Sequence, residues 1–383
     1  MRLRNFKDPN KRVYKLLRPA LFALDPETSH DLVIKLLALV SPWPTLLRLI
    51  RQKPETPLNT TVMGIEFPNP FGLAAGLDKN ARCFPALAAM GFGFVELGTV
   101  TPRPQPGNPR PRLYRLREDR ALINRMGFNS AGLDQFVRNL ERLKPYCQAP
   151  IGINLGKNAL TPIEQASDDY ILGLERVYRH ADYIAINISS PNTASLRDLQ
   201  SDEALDQLLH RVQETRANLS TAVPIAVKLA PDLTPEQVVA ACDVLLKRSI
   251  DAVIACNTTV QRPPGLISRY RNQQGGLSGA PLAPIAISLQ EQLYRSLAGR
   301  IPLIGVGGID SAVAALRSFA AGADLIQVYS GFIYQGGSLV RKLRTGLAQR
   351  MHAMQINKAG EAISRMHDHN EQEQPFSQGQ QRK

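Results

Sequence analysis

At 383 residues the chain can bury one large core or two modest ones. Its 44% hydrophobic and 21% charged residues are those of an ordinary globular protein, which argues against a mostly disordered or fibrous chain. Net charge is +13, but residues 1–53 hold eleven Lys/Arg against four Asp/Glu, so +7 of it lies in that segment and the basicity is not a property of the whole surface.

Cys83, Cys147, Cys242 and Cys256 stand far apart with no C-x-x-C. That spacing argues against a disulfide scaffold or a zinc site, and no metal is expected. The longest apolar stretch, Leu32 to Val40, is interrupted by Lys35 and is too short to span a bilayer. Acidic residues precede it, unlike a secretory signal. The chain is expected to be soluble or bound to a membrane only peripherally.

Val13, Leu16, Leu17, Leu21 and Leu24 recur at helical spacing. Asp25-Pro26-Glu27 reads as an N-cap, a first-turn proline and a first-turn acid. The second helix then carries Leu32, Val33, Leu36, Leu37 and Val40 on its apolar side. Ser41-Pro42-Trp43-Pro44 breaks it, and Thr45 to Arg51 forms a short third piece. Two readings stand: a helical cap packed on the main domain, or a basic amphipathic unit on an anionic membrane. A helical hairpin can do both.

From residue 70, short apolar runs alternate with helix-like segments. Eight runs are visible: Phe71–Ala75, Phe94–Gly98, Pro150–Asn154, Tyr183–Ile188, Ile225–Leu229, Ala252–Ala255, Leu303–Val306 and Leu325–Tyr329. Continuous apolar strands separated by helices suit a parallel sheet covered on both faces. The fold class expected is α/β, a (β/α)8 TIM barrel, with an open doubly wound sheet as the alternative. Two connections are long, 99–129 and 257–279, and long loops at one face of a barrel usually build its site. The division expected is a helical segment over 1–52, a barrel over 53–350 and a polar tail over 351–383, mostly disordered from 355.

Each run closes on residues that do more than turn. Ala185–Arg197 places Asn187, Ser189, Ser190 and Asn192 at the end of the fourth run, where barrel chemistry occurs. The first run leads to Lys79, the second to Thr99, the third to Asn154, the fifth contains Lys228 and the sixth leads to Cys256-Asn257-Thr258. Gly307-Gly308 and Tyr329-Ser330-Gly331 follow the seventh and eighth, the common phosphate site of such barrels. No G-x-G-x-x-G is present, which points to a mononucleotide such as FMN. Lys228 lies between small neighbours, Ala226 and Ala230. It either faces a flavin edge or pairs with an inward acid, and no acid ends runs three to five. Asn124, Asn129, Asn154, Asn187, Asn192 and Asn257 suit a ring substrate with alternating N–H and C=O groups, or cap turns. No histidine sits at a strand end, so no Ser-His-Asp triad is offered and Ser190 would act without one.

Together A-G-L-D-K-N, G-T-V-T-P-R-P-Q-P-G-N, I-N-R-M-G-F-N, I-S-S-P-N-T, G-G-L-S-G and I-G-V-G-G-I closely resemble dihydroorotate dehydrogenase over about residues 13–345. The basic helices and the serine of I-S-S-P-N-T resemble the quinone-dependent class. The resemblance implies one FMN per chain, oxidation of (S)-dihydroorotate to orotate in de novo pyrimidine (UMP) synthesis, and electron transfer to a membrane quinone. It makes Ser190 the base for the C5 proton, with hydride passing from C6 to flavin N5. It assigns the substrate to Lys79, Asn124, Arg125, Met126, Gly127, Phe128, Asn187, Asn192, Asn257 and Thr258. It assigns FMN to Ala75, Gly76, Leu77, Asp78, Lys79, Thr99, Asn154, Asn187, Lys228, Cys256, Gly279, Gly308, Tyr329 and Ser330. His30 and Arg115 resemble quinone-tunnel residues. A monomer bound peripherally to the cytoplasmic side of the inner membrane is expected, through an anionic membrane contact of the N-terminal helices and without nucleic acid.

Two departures stand out: Cys256 where many relatives have threonine, and Ala194-Ser195 where many have Pro-Gly. A related FMN barrel acting on other pyrimidines, including tRNA uridines, is the alternative. Arg103, Arg110, Arg112, Arg115 and Arg117 would then form a basic track. A non-enzymatic membrane-binding module is a third reading, against which the strand-end clusters argue.

Overall fold

The computed structural model describes residues 9–52 and 57–372. Three helices come first: α1 (Pro9–Ala23), α2 (Pro26–Val40) and α3 (Pro44–Ile50). The Asp25 carboxylate accepts the N–H groups of Glu27 and Thr28 at 3.0 Å, and Pro26 sits where a helix needs no N–H. The face that α2 packs inward matches the leucine stripe of its spacing only in part. Leu37 and Val40 pack against the core beside buried Glu27, Ser29 and Ile34, while Leu32 and Leu36 are exposed. The expected boundary at 52/53 adjoins residues 53–56, which lie outside the described residues.

A hairpin of β1 (Thr60–Val62) and β2 (Ile65–Phe67) leads into the barrel. Its strands are β3 (Phe71–Leu73), β4 (Phe94–Val100), then, past a second hairpin of β5 (Leu113–Leu116) and β6 (Ala121–Asn124), β7 (Ile151–Leu155), β8 (Tyr183–Asn187), β9 (Ile225–Leu229) and β10 (Ala252–Ala255). After β11 (Gly276–Gly279) come β12 (Leu303–Val306) and β13 (Ala323–Val328). The order β3-β4-β7-β8-β9-β10-β12-β13 closes on itself, and every neighbouring pair is parallel. All eight expected runs are barrel strands. The two long connections supply β5, β6 and β11, which join as a separate antiparallel sheet.

Strand alternation sorts the side chains. On β8, Tyr183 and Ala185 join the barrel interior while Ile184 and Ile186 join the outer core under the helices. Phe67 on β2 closes the interior from below, edge-on to Phe94 at 5.2 Å, among Tyr183, Ile254, Ile304 and Leu325. Apolar groups therefore fill the N-terminal half of the interior. By the same parity Glu96, Asn154, Asn187, Lys228 and Gln327 point inward above them.

The tail expectation needs correction. Residues Ala359–Gln372 form a helix, and Ile356, Ala359, Ala362, Ile363 and Met366 are buried. It packs beside β13 and the helix Ala312–Ala320. The His367 ring is buried, with Nε2 3.0 Å from the Ala323 carbonyl. The Gln, Glu and Lys of this stretch mask five apolar residues that recur at three- and four-residue spacing, which is a packing stripe. Residues 373–383 lie outside the described residues.

Candidate active site

A cavity of about 1010 Å³ opens at the C-terminal ends of the strands. That is the upper end of the usual range for small-molecule sites, so it has room for more than one ligand. Ala75, Gly76, Lys79, Thr99, Asn124, Met126, Gly127, Phe128, Asn187, Ser190, Asn192, Lys228, Cys256, Asn257, Thr258, Gly279, Gly308, Tyr329 and Ser330 all line it. So does His30, from α2.

Five expected site residues are not in its wall. Leu77 is buried in the outer core. Asp78 accepts the N–H groups of Arg82 and Cys83 at 2.7 Å, and burial raises its carboxyl pKa. Arg125 lies 5.0 Å over the Tyr114 ring and donates to the Pro111 carbonyl at 2.9 Å and to Gln273 at 3.2 Å. It is committed to the antiparallel sheet of β5, β6 and β11 and the loop before β11. Asn154 is fully buried one layer down. Arg115 stacks on Phe22 at 4.2 Å and donates to its carbonyl at 3.2 Å.

The layer beneath the cavity is a continuous polar network. Asn187 Nδ2 donates to Thr99 Oγ1 and Asn154 Oδ1, both at 3.0 Å, and Thr99 Oγ1 donates to Asn154 Oδ1 at 2.5 Å. Asn187 Oδ1 accepts the Ser189 hydroxyl at 3.0 Å and Asn257 Nδ2 at 3.4 Å. Asn154 Nδ2 donates downward to Glu96 Oε1 at 2.9 Å. Glu96 also accepts from Tyr183 Oη at 2.9 Å and Gln327 Nε2 at 2.6 Å, and Lys228 Nζ lies 3.6 Å away. A carboxylate only accepts. It therefore sets which end of the Asn154 amide faces up, and Asn154 in turn sets Asn187. The inward acid beside Lys228 thus exists, on β4 rather than on the third to fifth runs. Sequence reasoning missed Glu96, although an acid within F-V-E-L-G, a fully buried strand, is a visible signal.

Ser190 is buried at the rim, and its Oγ accepts the Asn192 N–H at 3.3 Å. Among the described residues no ionisable side chain is hydrogen-bonded to it. Asn192 Nδ2 donates to Asn124 Oδ1 at 3.3 Å, which ties this loop to the end of β6. Ser195 adopts a left-handed conformation at φ 54°, where a glycine would carry no Cβ penalty. Arg197 holds the loop base, donating to the Ser189 carbonyl at 3.1 Å and the Thr258 carbonyl at 2.9 Å while pairing with Asp232 at 2.8 Å. Burial pushes the Cys256 thiol up to about 12, so it is a neutral group here.

The far end of the cavity is built by the helices: Arg18, Pro19, Phe22, Glu27 and His30 line it. Burial, reinforced by Lys79, pulls the His30 imidazole down to about 3, so it is neutral at ordinary pH. Burial also pulls the Lys79 ammonium down to about 8, with Glu27 opposing. Around this end Arg110 and Arg112 pair with Glu27, and Arg115 and Arg117 donate to the Phe22 carbonyl. Of the five arginines of the expected basic track, Arg112 and Arg115 are buried and Arg103, Arg110 and Arg117 are exposed.

The donor set fits a flavin phosphate and ring. At Gly308, φ is +69° and a Cβ would collide with Ala283; at Gly279, φ is +100° and a Cβ would collide with the Arg120 carbonyl. Both turns need glycine, and both bring bare backbone to the cavity. Gln327, in the same wall, keeps a buried Oε1 without a partner, ready for an N–H of a bound ring.

The sequence model of the dihydroorotate dehydrogenase family matches residues 57–351. Dihydroorotate dehydrogenase (quinone) of Psychrobacter sp. (strain PRwf-1) is 50% identical over 347 residues, 90% of this chain and 99% of the relative. That of Delftia acidovorans (strain DSM 14801 / SPH-1) is 51% identical over 343 residues, 88% and 98%. A crystal structure of ligand-free DHODH from Eimeria tenella superposes with a TM-score of 0.83 at 37% identity, covering 90% of this chain and 99% of that one. The match runs through the barrel strands, the antiparallel sheet of β5, β6 and β11 and the glycine turns that build the cavity, so the chain belongs to the dihydroorotate dehydrogenase family.

Proposed function

We propose that this chain oxidises (S)-dihydroorotate to orotate for de novo pyrimidine synthesis, with FMN as its flavin and a membrane quinone as electron acceptor. Members of the family are flavin-dependent. The observation that carries the reading is the gathering of Ser190, Lys79, Lys228 and four asparagine amides around one cavity whose other end is built by the N-terminal helices. When bound, FMN would supply the hydride acceptor for C6 of dihydroorotate and a route for the electrons to the quinone.

The protein's own part is positioning and proton transfer. Asn124, Asn187, Asn192 and Asn257 match the alternating N–H and C=O groups of the pyrimidine ring. Lys79 offers its ammonium to the substrate carboxylate. Ser190 Oγ takes the C5 proton, held by the loop that Arg197 anchors. Lys228 balances charge on the reduced flavin and Glu96 keeps it in place. Met126, Gly127, Phe128 and Thr258 close around the substrate. Ala75, Gly76, Thr99 and Cys256 would hold the ring of FMN, while Gly279, Gly308, Tyr329 and Ser330 would hold its phosphate. Neutral His30 faces the quinone, with Arg115 supporting that wall from behind Phe22.

Residues 1–52 would serve quinone and membrane, and 53–350 flavin and substrate. Among the described residues no helix is long and apolar enough to cross a membrane. Exposed Leu36, Leu39, Trp43, Leu46 and Leu49 instead support peripheral contact at the inner membrane. The test is dihydroorotate turnover with quinone, fumarate or NAD as sole acceptor, on protein that is yellow with FMN. Turnover with quinone alone is expected. Fumarate or NAD serving equally well would overturn the acceptor, and a colourless protein that takes up no FMN would overturn the flavin.

A further inference from the structure

Glu27 belongs to α2, on the side of the cavity assigned above to the acceptor. Its contacts lead elsewhere. Both Glu27 oxygens accept from Arg112 Nε at 3.2 Å, and Oε1 accepts Arg112 Nη2 at 2.7 Å and Arg110 Nη2 at 2.9 Å. The Glu27 and Arg112 side chains are each only 7% exposed, so this is a buried, two-pronged pair. The remaining Arg112 nitrogen, Nη1, donates to the carbonyls of Pro106 at 2.6 Å and Asn108 at 2.8 Å. Asn108 Nδ2 then donates to the Asn192 carbonyl at 3.2 Å and the Arg125 carbonyl at 3.0 Å. Asn192 lies two residues from Ser190, and Arg125 lies within the 124–128 segment.

We infer that Glu27 is a positioning residue for the pyrimidine side of the cavity, acting through Arg112 and Asn108 on the Asn192 loop and the 124–128 segment. The inference rests on the dihydroorotate reading above. Each link has a physical reason. A guanidinium in a buried site needs a carboxylate, and only with that partner in place does Nη1 stay aimed at the two carbonyls of the 106–108 turn. The turn has no slack, because a Cβ on Gly107 would collide with the Met126 carbonyl and come within 2.9 Å of Arg112 Nη1. Asn108 is thereby fixed from both sides, and its amide holds two segments that line the substrate end. Glu27 also supports the charge of Lys79, in the same wall.

The Glu27→Gln protein keeps the shape of the side chain and loses its charge. Loaded with FMN, it should bind orotate about tenfold more weakly, read from the flavin absorbance change, with KM for dihydroorotate raised alike and KM for quinone within about twofold. Asn108→Ala removes only the last link and leaves the Glu27–Arg112 pair intact. It should show the same signature at the wild-type melting temperature. The double variant should be no worse than the worse single variant, because the two residues act in series. Unchanged orotate binding in Asn108→Ala would overturn the inference, whether or not Glu27→Gln folds. A raised quinone KM with unchanged orotate binding in Glu27→Gln would do the same, by making Glu27 an acceptor-side residue. A wild-type protein that binds no orotate at all would overturn the functional reading as well.

Discussion

The barrel interior and the N-terminal helices treat their side chains in opposite ways. Inside the barrel nearly every polar group is matched: Glu96 alone collects Tyr183, Gln327, Asn154 and Lys228. On the helices the mismatch is apolar, with Leu16 78%, Leu39 69% and Leu49 77% exposed. Leucine is common to both regions, yet Leu97 and Leu229 are wholly buried. The eight strands are covered on both faces, whereas the short helices touch the barrel along one edge and carry more apolar surface than that edge can hide. The interior is a site finished within the chain, apart from its ligands. Among the described residues nothing covers those helical leucines.

If the interior is finished, removing one group from it should be costly in solution. Ser190→Ala takes away the proposed proton acceptor without touching the amide network below. Flavin reduction by dihydroorotate should slow by about 10²–10⁴-fold, measured in a stopped-flow instrument, with orotate affinity little changed. An unchanged rate would remove Ser190 as the base. Glu96→Ala acts one layer deeper, leaving Lys228 and the Tyr183 hydroxyl without their acceptor. Breaking a buried pair in this way costs about 3–5 kcal/mol, so urea unfolding should show a loss of that order. A loss below about 1 kcal/mol would mean that Lys228 draws its support from elsewhere.

These two residues also show what could be read without the structure. Ser190 stood out because the apolar run Tyr183–Ile188 ends in a cluster of small polar residues, Asn187, Ser189, Ser190 and Asn192. All eight strands were legible for the same reason, as continuous apolar runs closed by glycine or polar groups. Glu96 and Glu27 were not legible as site-builders. Their roles depend on contacts across 132 residues (to Lys228) and 85 residues (to Arg112), which no local pattern encodes. The residues around Leu77, Asp78 and Arg125 show the converse error. A motif marks a neighbourhood, and some of its residues lie outside the cavity wall. The helix at Ala359–Gln372 was hidden by composition, since its polar face dominates the residue count.

Lys79 marks the border between the two regions, and its charge provides a smaller test. Burial lowers its ammonium to about 8, so in the ligand-free protein it is mostly protonated below that pH and mostly neutral above it. An anionic ligand that relies on this charge should bind progressively less well as pH rises past about 8, approaching tenfold per unit. Titrating orotate between neutral and alkaline pH should show that decline, and Lys79→Met should bind weakly at every pH without it. A wild-type affinity that stays flat across this window would mean that Lys79 is not the carboxylate's partner.

The smallest effect in solution should come from the helices. Leu36, Leu39 and Leu49 are exposed, so changing all three to glutamine removes no contact the folded chain depends on. Each change should move stability by no more than about 0.5 kcal/mol. Against vesicles rich in anionic lipid the outcome should differ. Transfer of a leucine side chain from water is worth about 1.5–3 kcal/mol when complete, so even partial insertion of three gives at least about tenfold in affinity. Val239 and Val313 provide the control, since they are 51% and 60% exposed but sit on helices that flank the barrel. Changing those two to glutamine should leave vesicle binding alone. Equal losses from both sets would mean that exposed apolar residues bind lipid wherever they lie, and the distinction between the two regions would fail. A loss confined to the α2–α3 set, with dihydroorotate-driven flavin reduction intact, would locate the membrane contact on the helices and leave the barrel as a chemically complete unit beneath them.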